Sequence, residues 1–253
     1  MKVLVLGHKG MLGHMVHKYL SIKGDCELVT TDFRWPDREF KKFILDFDGD
    51  FIVNCIGAIH QRTSEFEINT DLPIWLDKID YRTKKFKIVH PGTDCEIDDD
   101  DYGNSKREAA EYLLKEGKDT KIIKTSIIGP ELNSKASLLE WFLNSEGEVS
   151  GYNKAYWNGN TTLQWARICY KIMCNYGKYD DLNIPTSNCI SKYELLNIIK
   201  SVFGMDITIK ENSDVSIDKC LSRTTSAYDS SYNMPSTDIK KQLEELKEFY
   251  YDN

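Results

Sequence analysis

The chain has 253 residues, 41% hydrophobic and 29% charged, enough apolar material for one large domain or two interleaved ones. A net charge of −7 argues against a basic surface for nucleic acid or anionic membrane, and no apolar run reaches the roughly 18 residues of a membrane span. The seven cysteines are scattered without a CxxC pair and the five histidines do not cluster, so the chain reads as cytoplasmic, with reduced thiols and no metal site.

The elements follow in order. "KVLVL" (2–6) is a continuous apolar run, as in a strand buried on both faces of a parallel sheet, and is too short for a signal peptide's apolar region. A helix is expected over 11–23, ended by Gly24. Strand patterns recur at 26–32, 51–59, 85–90 and 120–126. Between them lie a helix over 66–79, broken or restarted near Pro73, and another beginning near Tyr102. This alternation requires right-handed crossovers and an α/β fold, a Rossmann-type doubly wound parallel sheet spanning residues 1–126.

Residues 127–253 are less regular. Helices are expected near 136–145, 161–175, 191–203 and 236–251, and short strands near 182–184 and 207–210. They read as a smaller, interleaved substrate-binding portion, partly packed back onto the first. Trp75, Trp141 and Trp165 fall at helical positions and are expected in the core, and Cys55 reads as a small packing residue. The last helix carries Ile239, Leu243, Leu246 and Phe249/Tyr250 on one face, for its own domain or for a homodimer interface.

The first strand runs directly into "GHKGMLG" and then a helix. Gly7 suits a tight turn, Gly10 lets backbone approach a pyrophosphate, and Gly13 permits close helix–strand packing. The helix start offers free N–H groups and a positive dipole end to phosphates. A dinucleotide would lie along Gly7, His8, Lys9, Gly10, Met11 and Leu12, and past the second strand along Asp32, Phe33 and Arg34. Asp32 could accept hydrogen bonds from a ribose, as for NADH, whereas Arg34 with Lys9 could pair with a 2′-phosphate. The balance favours NADPH. The plain alternatives are a glycine-rich packing turn and a solvated Arg34.

Tyr102 and Lys106 lie one turn apart on the helix that opens from the acidic tract "DCEIDDDD" (94–101). A nearby ammonium is expected to stabilise the phenolate, lower the tyrosine's pKa and ease proton exchange with a substrate oxygen. Thr93, just upstream, could hydrogen-bond the same oxygen. The competing reading makes Tyr102 an exposed helix-start residue and Lys106 a partner of Asp98–Asp101.

These residues carry a resemblance. "GHKGMLG", "VNCIGAI" (53–59), Asn69, "GTDC" (92–95), "YGNSK" (102–106), "KTSIIGPE" (124–131), the stretch 137–166 and "ISKYELLNII" (190–199) are similar to the extended short-chain dehydrogenase/reductases. Within them the chain most resembles the dTDP-4-dehydrorhamnose reductase branch, over roughly residues 1–205. The resemblance implies reduction of a 4-keto-6-deoxy nucleotide sugar, UDP- or dTDP-linked, by NADPH or NADH. Thr93, Tyr102 and Lys106 would then be catalytic, with Tyr102 as proton donor. Asn54, Cys55, Ile56 and Gly57 would line the cofactor, and Trp157 and Asn158 would approach the sugar nucleotide beside Thr93 and Tyr102. An epimerase and a cofactor-binding regulatory subunit are the alternatives.

The chain departs from that pattern in a short segment before Tyr102 and in Ile127, where the branch carries a tryptophan. Asp98–Asp100 are expected to point outward, since an acidic tract would repel a pyrophosphate.

Overall fold

The computed structural model describes residues 1–83, 86–117, 120–224 and 236–252. Six parallel strands form the main sheet: β1 (Lys2–Leu6), β2 (Glu27–Val29), β3 (Phe51–Asn54), β4 (Lys87–Gly92), β5 (Thr120–Lys124) and β9 (Leu182–Asn183). Their order is β2-β1-β3-β4-β5-β9. From β1 the chain passes through α1 (Met11–Lys23) to β2 on one side, while β3 pairs with β1 on the other. That reversal opens a crevice beyond the carboxyl ends of β1 and β3, where doubly wound sheets bind ligands.

Val3, Leu4, Val5 and Leu6 are all fully buried, because each face of the sheet has its own core. Val3, Val5, Phe51, Val53 and Val89 pack under α1 and α6 (Thr162–Cys174). Leu4, Leu6, Ile52 and Ile88 pack under α2 (Arg38–Asp46) and α3 (Ile68–Thr83). Consecutive strand residues thus feed opposite cores, as the period-2 geometry demands.

The remaining elements are α4 (Asp101–Lys115), β6 (Ile127–Ile128), α5 (Leu138–Leu143), β7 (Glu148–Trp157), β8 (Asn160–Thr161), β10 (Ile190–Ser191), α7 (Lys192–Phe203), β11 (Thr208–Asp218) and α8 (Ile239–Tyr250). β7 is the centre of a second sheet, antiparallel to β10 and parallel to β11. Ile239, Leu243 and Leu246 of α8 join the core under α1 and α6. Buried Gln242 accepts from Thr161 N at 2.9 Å and donates to Asn160 Oδ1 at 2.9 Å.

Several expectations are corrected. Helix α3 runs unbroken through Pro73, which lies early enough to forfeit few intrahelical bonds and is flanked by the buried anchors Leu72 and Leu76. β2 is shorter than expected and β11 longer; Lys85, with which the fourth strand pattern begins, lies outside the described residues. Trp165 is buried, but Trp141 is exposed, within a short helix that buries only Leu139 and Phe142. Cys189 and Cys220 form a disulfide instead of remaining reduced. Cys189 precedes β10 and Cys220 follows β11, and both strands flank the same end of β7, so sheet pairing joins cysteines distant in sequence. Among the described residues no helix is long and apolar enough to cross a membrane.

Candidate active site

The crevice is a cleft of about 450 Å³. Its floor begins at the glycine turn. Gly7 holds φ +72° in the left-handed region, and a Cβ there would stand 2.8 Å from Cys55 O. A Cβ on Gly13 would stand 2.1 Å from Gly7 O, so the helix packs directly on the turn. Gly10 N donates to Gly7 O at 2.9 Å and caps α1, leaving Gly10, Met11 and Leu12 on the cleft. Cys55, Ile56 and Gly57 line the facing side.

At the far end of the turn, Lys9 Nζ meets Asp32 at 2.6 Å and His8 Nε2 lies 3.7 Å from the same oxygen. The Lys9 hydrogen bond holds the Asp32 carboxyl below its usual value. Phe33 and Arg34 are exposed, the Phe33 ring set edge-on to Phe43 at 5.9 Å. Asn54 lies beneath the floor: its Oδ1 accepts from Ile56 N at 3.2 Å and its Nδ2 lies 3.2 Å from His90 Nδ1. Burial pushes His90 down, so its imidazole is neutral.

One polar bolt joins this floor to α4. Asn69 Oδ1 accepts from Ala58 N at 2.8 Å, and its Nδ2 donates to Ala58 O at 3.1 Å and Ser105 Oγ at 3.2 Å. Ser105 Oγ in turn donates to Tyr102 O at 2.7 Å. The first turn of α4, carrying Tyr102, is also capped by Asp100, which accepts from Gly103 N at 2.6 Å.

Tyr102 and Lys106 both face the cleft. Lys106 is 7% exposed and hydrogen-bonds to nothing among the described residues. Burial pushes its ammonium down to about 8, opposed by the charges of Glu96 and Cys55. Tyr102 packs against His60 at 5.2 Å and Phe66 at 5.8 Å. Its phenol is raised, first by burial and then by Cys95, with the Thr93 hydroxyl opposing and Asp94 and Glu96 adding to the rise. The sequence suggested a lowered value; in this environment desolvation outweighs any benefit from the lysine, and Tyr102 holds its proton at neutral pH.

Thr93 caps a short 3-10 turn over Asp94–Ile97. Its N donates to Glu96 Oε1 at 2.9 Å, and its hydroxyl accepts from Cys95 N at 3.2 Å while lying 3.1 Å from Asp94 Oδ1 as donor. Glu96, buried, is paired with Lys124 at 2.7 Å. Burial pushes the Cys55 thiol up, and the Cys95 thiol up to about 12, so neither is a ready nucleophile.

The outward direction expected of Asp98–Asp100 holds for Asp99, which is exposed and off the cleft, but Asp98 and the exposed Asp100 both line it. Each is matched by a cation or a potential one. Lys219 pairs with Asp98, and His60 Nε2 lies 3.3 Å from Asp100. Across the mouth, Arg62 Nη2 meets Glu131 Oε1 at 3.2 Å and Ser134 Oγ at 3.1 Å. The sequence offered no signal for these pairings, since their partners lie far apart in the chain.

Trp157 and Asn158 do not line the cleft. Trp157 is buried with Lys192 Nζ 5.1 Å over its ring. Asn158 clamps the backbone of Leu221, donating to its O at 2.8 Å and accepting from its N at 2.9 Å. Trp165, read as core, is fully buried and also forms part of the cleft wall.

The site defines a class: a doubly wound α/β sheet with a glycine turn at its switch point and a tyrosine–lysine pair facing it across one cleft. Solved structures share this fold. A dTDP-4-dehydrorhamnose reductase from Clostridium acetobutylicum is 19% identical, with 99% of this chain and 100% of that one covered at a TM-score of 0.77. A dTDP-4-dehydrorhamnose reductase from Bacillus anthracis in complex with NADP is 13% identical over 100% of this chain and 99% of that one, TM-score 0.77. A UDP-N-acetylglucosamine 4-epimerase from Bacillus cereus is 18% identical over 100% and 97%, TM-score 0.68. No protein-family model and no curated relative matches the sequence. At these identities the likeness establishes the fold alone, a Rossmann-type doubly wound α/β fold.

Proposed function

We propose that the protein is an NAD(P)H-dependent oxidoreductase that reduces a 4-keto-6-deoxy nucleotide sugar, with Tyr102 as proton donor. The observation that carries this reading is the placement of the Tyr102 phenol and the unpartnered, buried Lys106 opposite the glycine turn. A buried ammonium without a partner is costly unless a ligand completes it, and a nicotinamide ribose would do so. The Cβ-intolerant cradle at Gly7 and Gly13 fits a pyrophosphate approaching backbone.

The nicotinamide would supply the hydride. Tyr102, protonated at neutral pH, would give its proton to the nascent alkoxide. Thr93 would orient the carbonyl, its hydroxyl turning from Asp94 to do so. Lys9, Asp32 and Arg34 would meet the adenosine end. NADPH is the preferred cofactor, because Asp32 is already engaged by Lys9 whereas Arg34 has no side-chain partner among the described residues. Residues 1–126 would hold the cofactor and 127–253 mainly the sugar nucleotide. Trp157 and Asn158 would shape that side indirectly, Asn158 through the Leu221 backbone that it holds.

The test mixes wild type and Tyr102→Phe with NADPH and a panel of UDP- and dTDP-linked 4-keto-6-deoxy sugars and follows nicotinamide absorbance. Oxidation by wild type, with a loss of about a hundred-fold or more in the variant, is the expected result. Activity without added cofactor, from protein that retains NAD, would instead indicate an epimerase. NADPH binding without oxidation of any sugar would indicate a regulatory subunit.

A further inference from the structure

The carboxylates of the cleft are not equally engaged. Asp100 is spent on the cap of α4 and on His60, and Glu131 on Arg62, Ser134 and Ser137 N at 2.7 Å. Asp98 differs. Its backbone is fixed, with N donating to Cys95 O at 3.0 Å and O accepting from Arg107 Nη1 at 3.1 Å. Its Oδ1 receives Lys219 Nζ, while Oδ2 accepts no hydrogen bond among the described residues.

Lys219 comes from the other half of the chain, at the end of β11. Its backbone N donates to Tyr156 O at 3.1 Å. The next residue, Cys220, is bonded to Cys189, and Leu221 is held by Asn158. The Lys219 side chain is only 14% exposed and has Asp98 as its carboxylate partner. Asp98, a lining residue of the cleft, is therefore held from both halves of the molecule, with one oxygen spent and one left over.

A carboxylate only accepts hydrogen bonds, so the ligand group meeting Oδ2 must be a donor. The phosphates of a sugar nucleotide are excluded from that spot by charge; its ring hydroxyls fit it. Lys106, buried and unpartnered at the same cleft, independently marks it as a ligand site. Ile127 lines the same cleft, and its side chain offers only apolar contact there.

We infer that Asp98, held in place by Lys219, reads a ring hydroxyl of the bound sugar. This rests on the nucleotide-sugar reading above and narrows it, to a sugar that keeps a free hydroxyl at the position facing Asp98. Asp98 touches the substrate; Lys219 is a positioning residue.

The test titrates the full chain, saturated with NADP⁺, with UDP- and dTDP-glucose and their ring-deoxy and ring-amino analogues, by calorimetry. In wild type, removal of one particular hydroxyl is expected to weaken binding about ten- to hundred-fold. Asp98→Ala should lower affinity for the parent by a similar factor and bind parent and deoxy analogue alike. Asp98→Asn, which keeps one acceptor oxygen but loses the charge, should fall between wild type and Asp98→Ala. Lys219→Met should reduce that discrimination, and Lys219→Arg should restore it, a rescue that a merely structural loss would not show. Melting temperature and NADP⁺ affinity establish that each variant is folded, and Asp98→Asn keeps the side chain's shape.

Equal binding of parent and every deoxy analogue by wild type, or discrimination that survives in Asp98→Ala, would overturn the inference while leaving the nucleotide-sugar reading intact. A gain in affinity with the amino analogue alone would assign the site to an ammonium and equally overturn the hydroxyl. NADP⁺ binding with no affinity for any nucleotide sugar would overturn both.

Discussion

The floor of the cleft and its rim are held by different means. The floor, Gly10 to Leu12 and Cys55 to Gly57, rests on backbone packed against backbone, with no room for one added carbon at Gly7 or Gly13 beneath it. The rim, from Asp94 to Asp100 with His60, Arg62 and Glu131, is side chain paired with side chain across long stretches of sequence. A wall of the first kind has one geometry or none, whereas a wall of the second kind can be re-paired one residue at a time. On the function proposed above, the floor would hold the cofactor and the rim the sugar.

The sharpest way to break this contrast is at Gly13. Gly13→Ala would push a Cβ to 2.1 Å from Gly7 O, a clash that no flexible side chain can relieve. The expected cost is about 3 kcal/mol or more by denaturant unfolding, with loss of NADPH binding. Near-wild-type stability would mean the floor adapts as readily as the rim.

Lys106, at the floor's edge, provides a pH test. Its folded value of about 8 lies below the ordinary 10.5, so between those values unfolding takes up a proton and this group's contribution to stability rises with pH. Below pH 8 the unliganded fold carries the full cost of the buried charge, up to about 3 kcal/mol. Lys106→Met should therefore stabilise the apo protein at neutral pH, by a margin that shrinks as pH rises through the window. Cys55 and Cys95, raised by burial, act in the opposite sense above their ordinary value of 9.0, so the difference between the two proteins is the quantity to measure. A pH-independent difference would contradict the assignment.

The smallest effect belongs to the rim. Arg62 is half exposed, and Arg62→Ala should change the unfolding free energy by less than about 1 kcal/mol. A larger loss would show that this pairing is structural in the way the floor is.

The same division explains what could be read in advance. "KVLVL" and "GHKGMLG" announce the first strand, turn and helix because local pattern determines them, and the capping and spacing around Tyr102 and Lys106 are equally local. Helix α2 is short and charged but buries Phe40 and Ile44 on one face, and β7 alternates exposed and covered residues, so both have the right period but carry it on few apolar side chains. The direction of Asp98 depended on Lys219 and the disulfide on two strands meeting at β7. Tyr102's raised pKa depended on how deeply α4 seats. Each is a tertiary outcome that no short stretch encodes.

The placement of α8 bears on how the protein is made. Leu243 and Leu246 share a core with Val3 and Val5, and Gln242 ties down the start of α6, so the layer beneath α1 has a gap until residues near 246 have left the ribosome. Local strand–helix units can form during synthesis, but β1 waits for α8 before its core is sealed. Throughout that interval the apolar face of the nascent sheet lacks the cover that α8 provides.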